Sequence, residues 1–227
     1  MNLLESTWLG ERLARMGDAE LFPLLNVGSS TEEFRTRVQP YIDANIFAPL
    51  RHRGGVVYHA DMKAAPGVDR VGDLLDPAFI DQLSKLQIRS ILMSNLLEHV
   101  TDRQAVCDAI LRLVPDGGYL FVSGPRDYPY HADPIDTMFR PTIDQAHALF
   151  PGTRIVESAT IDSGNWRQWK AAERGRTLGR TLARLLTPFY RPRKWWELAR
   201  QSPYLCKHIT AFALVMQKQV NNPLPRR

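Results

Sequence analysis

The chain is poor in cysteine, in long apolar runs and, over its last quarter, in acid. Two of its 227 residues are cysteine, Cys107 and Cys206, and neither stands at a metal-ligand spacing. Both are expected to be buried thiols in a reducing compartment. No HxxxH pair or Cys/His cluster is present, so a metal is not expected. No stretch reaches the roughly 18 apolar residues of a membrane span. The N-terminus MNLLESTWLGERLARMGD lacks the basic start and long apolar core of a secretory leader, so the expected location is cytoplasmic. The absence of GxxxxGK[ST] excludes P-loop phosphate chemistry. The lack of a G-x-S-x-G elbow disfavours hydrolase chemistry, and the lack of a three-glycine fingerprint disfavours a nicotinamide dehydrogenase.

What is present is ordinary in amount and uneven in distribution. An apolar fraction of 44% and a charged fraction of 23% suit one soluble globular domain spanning 1–227. Residues 1–163 hold 15 Lys/Arg against 22 Asp/Glu, whereas 164–227 hold 14 Lys/Arg against 2 Asp/Glu. The basic end calls for an anionic partner or surface.

The most informative stretch is ILMSNLLEHVTDRQAVCDAILRLVPDGGYLFVSGP, residues 91–125. Ile91–Ser94 is too short an apolar run for a helix and reads as a strand. Thr101-Asp102 offers an N-cap, after which Ala105, Val106, Ala109, Ile110 and Leu113 recur at helical spacing. Pro115-Asp116-Gly117-Gly118 stops that helix, and Tyr119–Ser123 is a second apolar run. Two such runs joined by a helix form a βαβ unit with parallel strands. Ligands of open parallel sheets sit beyond the carboxyl ends of the strands, which places Ser94–His99 and Gly124–His131 at the rim of a site.

The other segments extend the same pattern. Leu3–Met16 suits an amphipathic helix that packs across the sheet or covers a cleft. Leu21–Val27 is the first strand, turning at Gly28-Ser29-Ser30 into a helix start at Thr31. Such a small-residue turn lets backbone approach a ligand at a helix N-terminus. Pro40 breaks the helix that follows. Gly55–Ala60 is the second strand and ends at Asp61. Val68–Leu74 holds the third, after which Asp76 caps a helix with Pro77 at its first position. Thr142 caps another helix reaching Leu149. Thr153–Ile161 and His208–Gln217 are the last two strands.

The string NLLEHV, a helix and then LVPDGGYLFVS resembles the second half of class I S-adenosylmethionine-dependent methyltransferases. The resemblance covers roughly residues 20–162 and the last strand. It implies a Rossmann-like α/β fold: a seven-stranded, mostly parallel sheet with an antiparallel last strand and helices on both faces. It also implies S-adenosyl-L-methionine as cofactor. By resemblance, Asn26, Gly28 and Ser29 form the turn at the methionine end, with Asn26 where the family carries an acid. Asp61 is placed on the ribose diol with Met62 beside it, and Asp73 with Leu74 on the adenine. Ser94 and Asn95 are the floor beneath the transferable methyl. Direct displacement needs no covalent enzyme nucleophile. A general base serves a hydroxyl acceptor, and the candidates are His131 and then His99, with Asp127 and Tyr130 orienting the acceptor.

The family links its last two strands by a short turn, whereas here a basic segment, 163–206, intervenes. On a helical projection Leu178, Leu182, Leu185 and Phe189 share one face and Arg176, Arg180 and Arg184 another. This pattern suits peripheral contact of residues 166–200 with the anionic inner face of a membrane, and is preferred there to nucleic acid. Packing of the apolar stripe on the domain is the plain alternative. The acceptor is then a small molecule, a saccharide or a lipid-linked intermediate. A second functional class remains open: a catalytically inactive methyltransferase-like protein that binds or scaffolds, favoured by the altered NVGSS turn.

Overall fold

The computed structural model describes residues 1–130, 135–165, 195 and 207–220. Seven strands form one sheet in the order β3-β2-β1-β4-β5-β7-β6. These are β1 (Leu24–Val27), β2 (Val57–Asp61), β3 (Arg70–Val71), β4 (Ser90–Ser94), β5 (Tyr119–Asp127), β6 (Thr153–Asn165) and β7 (His208–Lys218). Strands β1 to β5 pair in parallel, and β7 runs antiparallel to both β5 and β6. This is the expected mixed sheet with an inverted last strand.

Alternation along the strands builds two cores. Leu25, Ile91, Leu120 and Met216 lie in one cross-strand row, and Val27, Met93, Val122 and Leu214 in the next. They pack against α5 (Pro77–Ser84), α6 (Arg103–Leu113) and Phe150, which follows α7 (Ile143–His147). The opposite face carries Leu24, Leu92, Phe121 and Val215. It is covered by α1 (Leu3–Arg15), α2 (Asp18–Leu21) and the chain between Ile42 and Leu50. Each fully buried Leu, Ile, Val or Phe contributes about 1.5–3 kcal/mol, so the strand period of two is what fixes helices to both faces.

The local signals for helix ends act as read. The Asp76 carboxylate accepts from the Ala78 N–H, Asp102 from the Ala105 N–H, and Thr142 forms a capping box with Gln145. The segment after β1 is broken as Pro40 demands. A π-helical turn at Phe34–Val38 ends at Gln39, and helical turns α3 (Pro40–Ile42) and α4 (Ala48–His52) follow, separated by a second π-helical turn at Asp43–Phe47.

Several boundaries differ from the sequence reading. The first strand starts at Leu24, because Leu21 closes α2. The third is only Arg70–Val71. The helix after Thr142 stops at His147. Strand β5 runs four residues beyond Ser123, because β7 continues to pair with it through Asp127 across a bulge. Strand β6 likewise extends to Asn165. His131 and nearly all of the basic segment, including the stripe from Leu178 to Phe189, lie outside the described residues. Among the described residues no helix is long and apolar enough to cross a membrane, and no group of three or more His, Cys, Asp or Glu could hold a metal ion.

Candidate active site

Because β1, β2 and β4 are parallel, their carboxyl ends share one edge of the sheet. Val27, Asp61 and Ser94 are the last residues of these strands. A cleft of about 700 Å³ opens there, within the range of small-molecule sites. Its wall gathers Asn26, Gly28, Ser29, Asp61, Met62, Asp73, Leu74, Ser94 and Asn95, with His99 beside them.

The turn after β1 is held rigidly. Gly28 has φ +65°, a left-handed conformation that favours glycine. Ser30 is also left-handed, at φ 53°. Its N–H donates to Asp61 Oδ2 at 2.7 Å, while the Lys63 N–H donates to Asp61 Oδ1 at 3.0 Å. One carboxylate thus ties the turns after β1 and β2 together, and each oxygen keeps a lone pair for a ligand. Asp73 accepts from the Leu75 N–H at 2.9 Å and is exposed at the edge.

Arg35 was not a residue the sequence singled out. It is buried, and its guanidinium donates to the carbonyls of Ser29 (2.8 Å), Ser30 (2.8 Å) and Gly67 (2.7 Å). Burial pulls its pKa down while Glu32 and Asp43 oppose that pull. Arg35 therefore ties the turn after β1 to the Gly67 carbonyl. Asn26, at the place of the family's acid, donates its amide to His59 Nδ1 at 3.0 Å. Burial, then the nearby Arg35 charge, push the His59 pKa down to about 4, so this histidine is neutral at physiological pH.

The floor is a polar cluster that reaches the site from three segments. Asn95 is left-handed, at φ 51°, and its N–H donates to the Ser123 carbonyl at 2.9 Å. The Glu5 side chain comes from α1 and accepts from Asn95 Nδ2 (2.7 Å), Ser123 Oγ (2.7 Å) and Ser94 Oγ (3.4 Å). Glu5 escaped sequence reasoning. Its only local sign is a capping box with Asn2, which any helix start can show.

His99 Nδ1 donates to the Ile135 carbonyl, and its Nε2 lies 3.8 Å from Glu98 Oε1. Glu98 is 1% exposed, and its Oε1 has no hydrogen-bond partner. Burial pushes its carboxyl up to about 7, against the pull of a backbone hydrogen bond and of His99.

The loop after β5 is organised differently from the sequence expectation. Asp127 is a strand residue whose carboxylate accepts from Thr210 Oγ1 (3.0 Å) and pairs with Lys207 (2.9 Å). The Lys207 hydrogen bond is the main reason its pKa is lowered. Asp127 and Tyr130 are not on the cleft wall, and Tyr130 is exposed; Tyr128 and Pro125 line the cleft instead. The extension of β5 sets this phase. Arg140 then holds the loop, donating to the carbonyls of Tyr128 (3.2 Å) and Pro129 (3.3 Å) and pairing with Asp136 at 2.6 Å.

Solved structures share this architecture. A putative sarcosine dimethylglycine methyltransferase from Galdieria sulphuraria matches with TM-score 0.56 and 12% identity, over 94% of this chain and 84% of that one. The MccD protein matches with TM-score 0.54 and 11% identity, over 93% and 96%. Coclaurine N-methyltransferase, bound to N-methylheliamine and SAH, matches with TM-score 0.53 and 13% identity, over 94% and 72%. No family model and no curated protein matches the sequence. At these identities the likeness is one of fold: the chain has the class I methyltransferase fold.

Proposed function

We propose that this chain is an S-adenosylmethionine-dependent methyltransferase with a small-molecule acceptor. The observation that supports this most is the cleft wall. The residues assigned to the cofactor from the sequence come from the ends of separate strands and line one cavity. The cavity also fits the group. The Asp61 carboxylate, its two oxygens braced by the N–H groups of Ser30 and Lys63, suits a ribose diol. Gly28, Ser29, Asp61, Asp73 and Leu74 would hold the cofactor. When bound, S-adenosylmethionine supplies an electrophilic methyl group. The chain's own contribution is to position the acceptor and, for a hydroxyl acceptor, to take its proton at His99.

In calorimetric titration the protein is expected to bind S-adenosylhomocysteine in the micromolar range. Asp61→Ala should weaken that binding at least about tenfold, by removing a charge-assisted acceptor. A folded protein that binds none would overturn this reading in favour of a non-catalytic scaffold. The specific observations on that side are that the Asn26 amide is already committed to His59 and that Ser29 and Ser30 replace glycine.

For the acceptor class, the basic composition of residues 166–200 supports a saccharide or lipid-linked intermediate and a cytoplasmic protein held peripherally at an anionic membrane. Flotation with vesicles rich in phosphatidylserine should show binding at low salt that is lost at high salt. Equal recovery from neutral and anionic vesicles at both salts removes this proposal.

A further inference from the structure

Glu5 is a buried carboxylate with no side-chain cation within 4.0 Å among the described residues. It is 1% exposed, yet it lines the cleft. Oε1 accepts from Asn95, Ser123 and Ser94, and Oε2 accepts from the Asn2 N–H at 3.1 Å. All four donors are neutral. Among the described residues, the ion pairs within 4.0 Å involve Arg12, Arg51, Arg53, His99, Arg140, Lys207, His208 and Lys218, and none of them reaches Glu5. Arg35, the buried cation of the same wall, spends its guanidinium on three carbonyls. A carboxylate removed from water calls for a counter-charge as well as hydrogen bonds. Here the hydrogen bonds come from the protein and the open side faces the cavity.

We propose that Glu5 is the recognition group for a positively charged centre on the ligand, either the sulfonium of the methyl donor or the ammonium of an amine acceptor. The proposal rests on the methyltransferase reading of the cleft and deepens it. The placement agrees with what β1 lacks. Asn26 stands where the family carries an acid, and α1 delivers an acid to the end of β4 and the middle of β5 instead. The N-terminal ammonium and Glu5 act on Glu98 in opposite directions, the first lowering its pKa and the second raising it. Asn95 and Ser123 aim the carboxylate, and a glutamine oxygen in the place of Oε1 would keep those two bonds while losing the attraction.

Glu5→Gln is the nearest neutral variant: its single amide oxygen can keep the bonds from Asn95 and Ser123, while its NH2 takes the place of Oε2 and gives up the bond from the Asn2 N–H. Titrations of wild type and variant would use S-adenosylmethionine, S-adenosylhomocysteine and an analogue carrying an ammonium in place of the sulfonium methyl. Ethylammonium would be titrated into the homocysteine complex. If the sulfonium is the partner, Glu5→Gln weakens S-adenosylmethionine and the ammonium analogue at least about tenfold and leaves S-adenosylhomocysteine within about twofold. If the acceptor's amine is the partner, the cofactor affinities stay in ratio and ethylammonium binding to the homocysteine complex is lost. Unchanged ratios with no difference in ethylammonium binding overturn the proposal. Absence of all cofactor binding to the wild type overturns the reading beneath it. Glu5→Asp, which keeps the charge but withdraws it by one methylene, should fall between, and thermal melts of both variants confirm that they fold.

Discussion

Gly10→Val is expected to lower stability by about 3 kcal/mol or more, and Gly10→Ala by less but in the same direction. Intrinsic propensity argues the opposite sign, since alanine is favoured over glycine in a helix interior by roughly 0.5–1 kcal/mol. Tertiary contact decides. Gly10 is buried on α1, and a Cβ there would lie 2.1 Å from the carbonyl oxygen of Asn45, a backbone atom in the Asp43–Phe47 turn. Backbone cannot rotate away as a side-chain tip can. The seat is reinforced by Asn45 Nδ2, which donates to Ser6 Oγ (2.9 Å) and Thr7 Oγ1 (3.2 Å), and by Leu9 and Leu13 in the core. For a protein of this size the loss corresponds to a melting temperature lower by roughly 6–12 °C. Urea denaturation measures it directly. A midpoint that is unchanged or raised in Gly10→Ala would mean that α1 is not seated on this turn, and the placement of Glu5 at the cleft floor would go with it.

The second large effect is on the pH dependence of stability, and it is concealed in the wild type. Glu98 titrates near 4.5 when unfolded and near 7 when folded. Below pH 4.5 both states hold the proton and nothing is lost. As pH rises toward 7 the unfolded state releases its proton first, so stability falls, by roughly 3 kcal/mol above pH 7. His59 moves the other way. Its ordinary value of 6.5 drops to about 4 on folding. Its contribution is therefore complete above pH 6.5 and is lost as pH falls toward 4, by a similar amount. The two slopes oppose each other between about pH 4.5 and 6.5. Relative to wild type, Glu98→Gln should gain stability steadily from pH 4.5 to pH 8. His59→Gln, after a fixed loss from its edge-on packing against Phe47 and its bond to Asn26, should gain as pH falls from 6.5 to 4. Urea curves at five pH values test both. Variant and wild-type profiles that run parallel would show that neither group is held out of water.

How much of this could be read from the chain alone follows a physical line. Strands and helices announce themselves through apolar periods, caps and turns that operate within about ten residues. Leu25, Ile91 and Leu120 lie in short apolar runs, Asp76 and Asp102 cap the helices they precede, and α6 ends at the extended Val114 before Pro115. The cleft edge was legible for a related reason. Parallel strands bring their ends to one edge, so Gly28, Asp61 and Asn95 meet there once the strands are found, while Asp73 was placed by the resemblance. Asp127 and Tyr130 were misplaced because the phase of the loop after β5 is set by pairing with β7, whose Thr210 lies 83 residues further on. No local pattern encodes that register.

The sequence by itself therefore determined the layered α/β architecture and the edge at which a ligand is received, because both depend on short-range periodicity and on the direction of parallel strands. Only the tertiary structure decided what stands at that edge. It brought Glu5 to Asn95 and Ser123 across 90 and 118 residues, tied Arg35 to the serine turn, and left Glu98 buried beside His99. Such groups meet through helix seating and strand register, where a glycine facing a backbone carbonyl counts for more than any propensity.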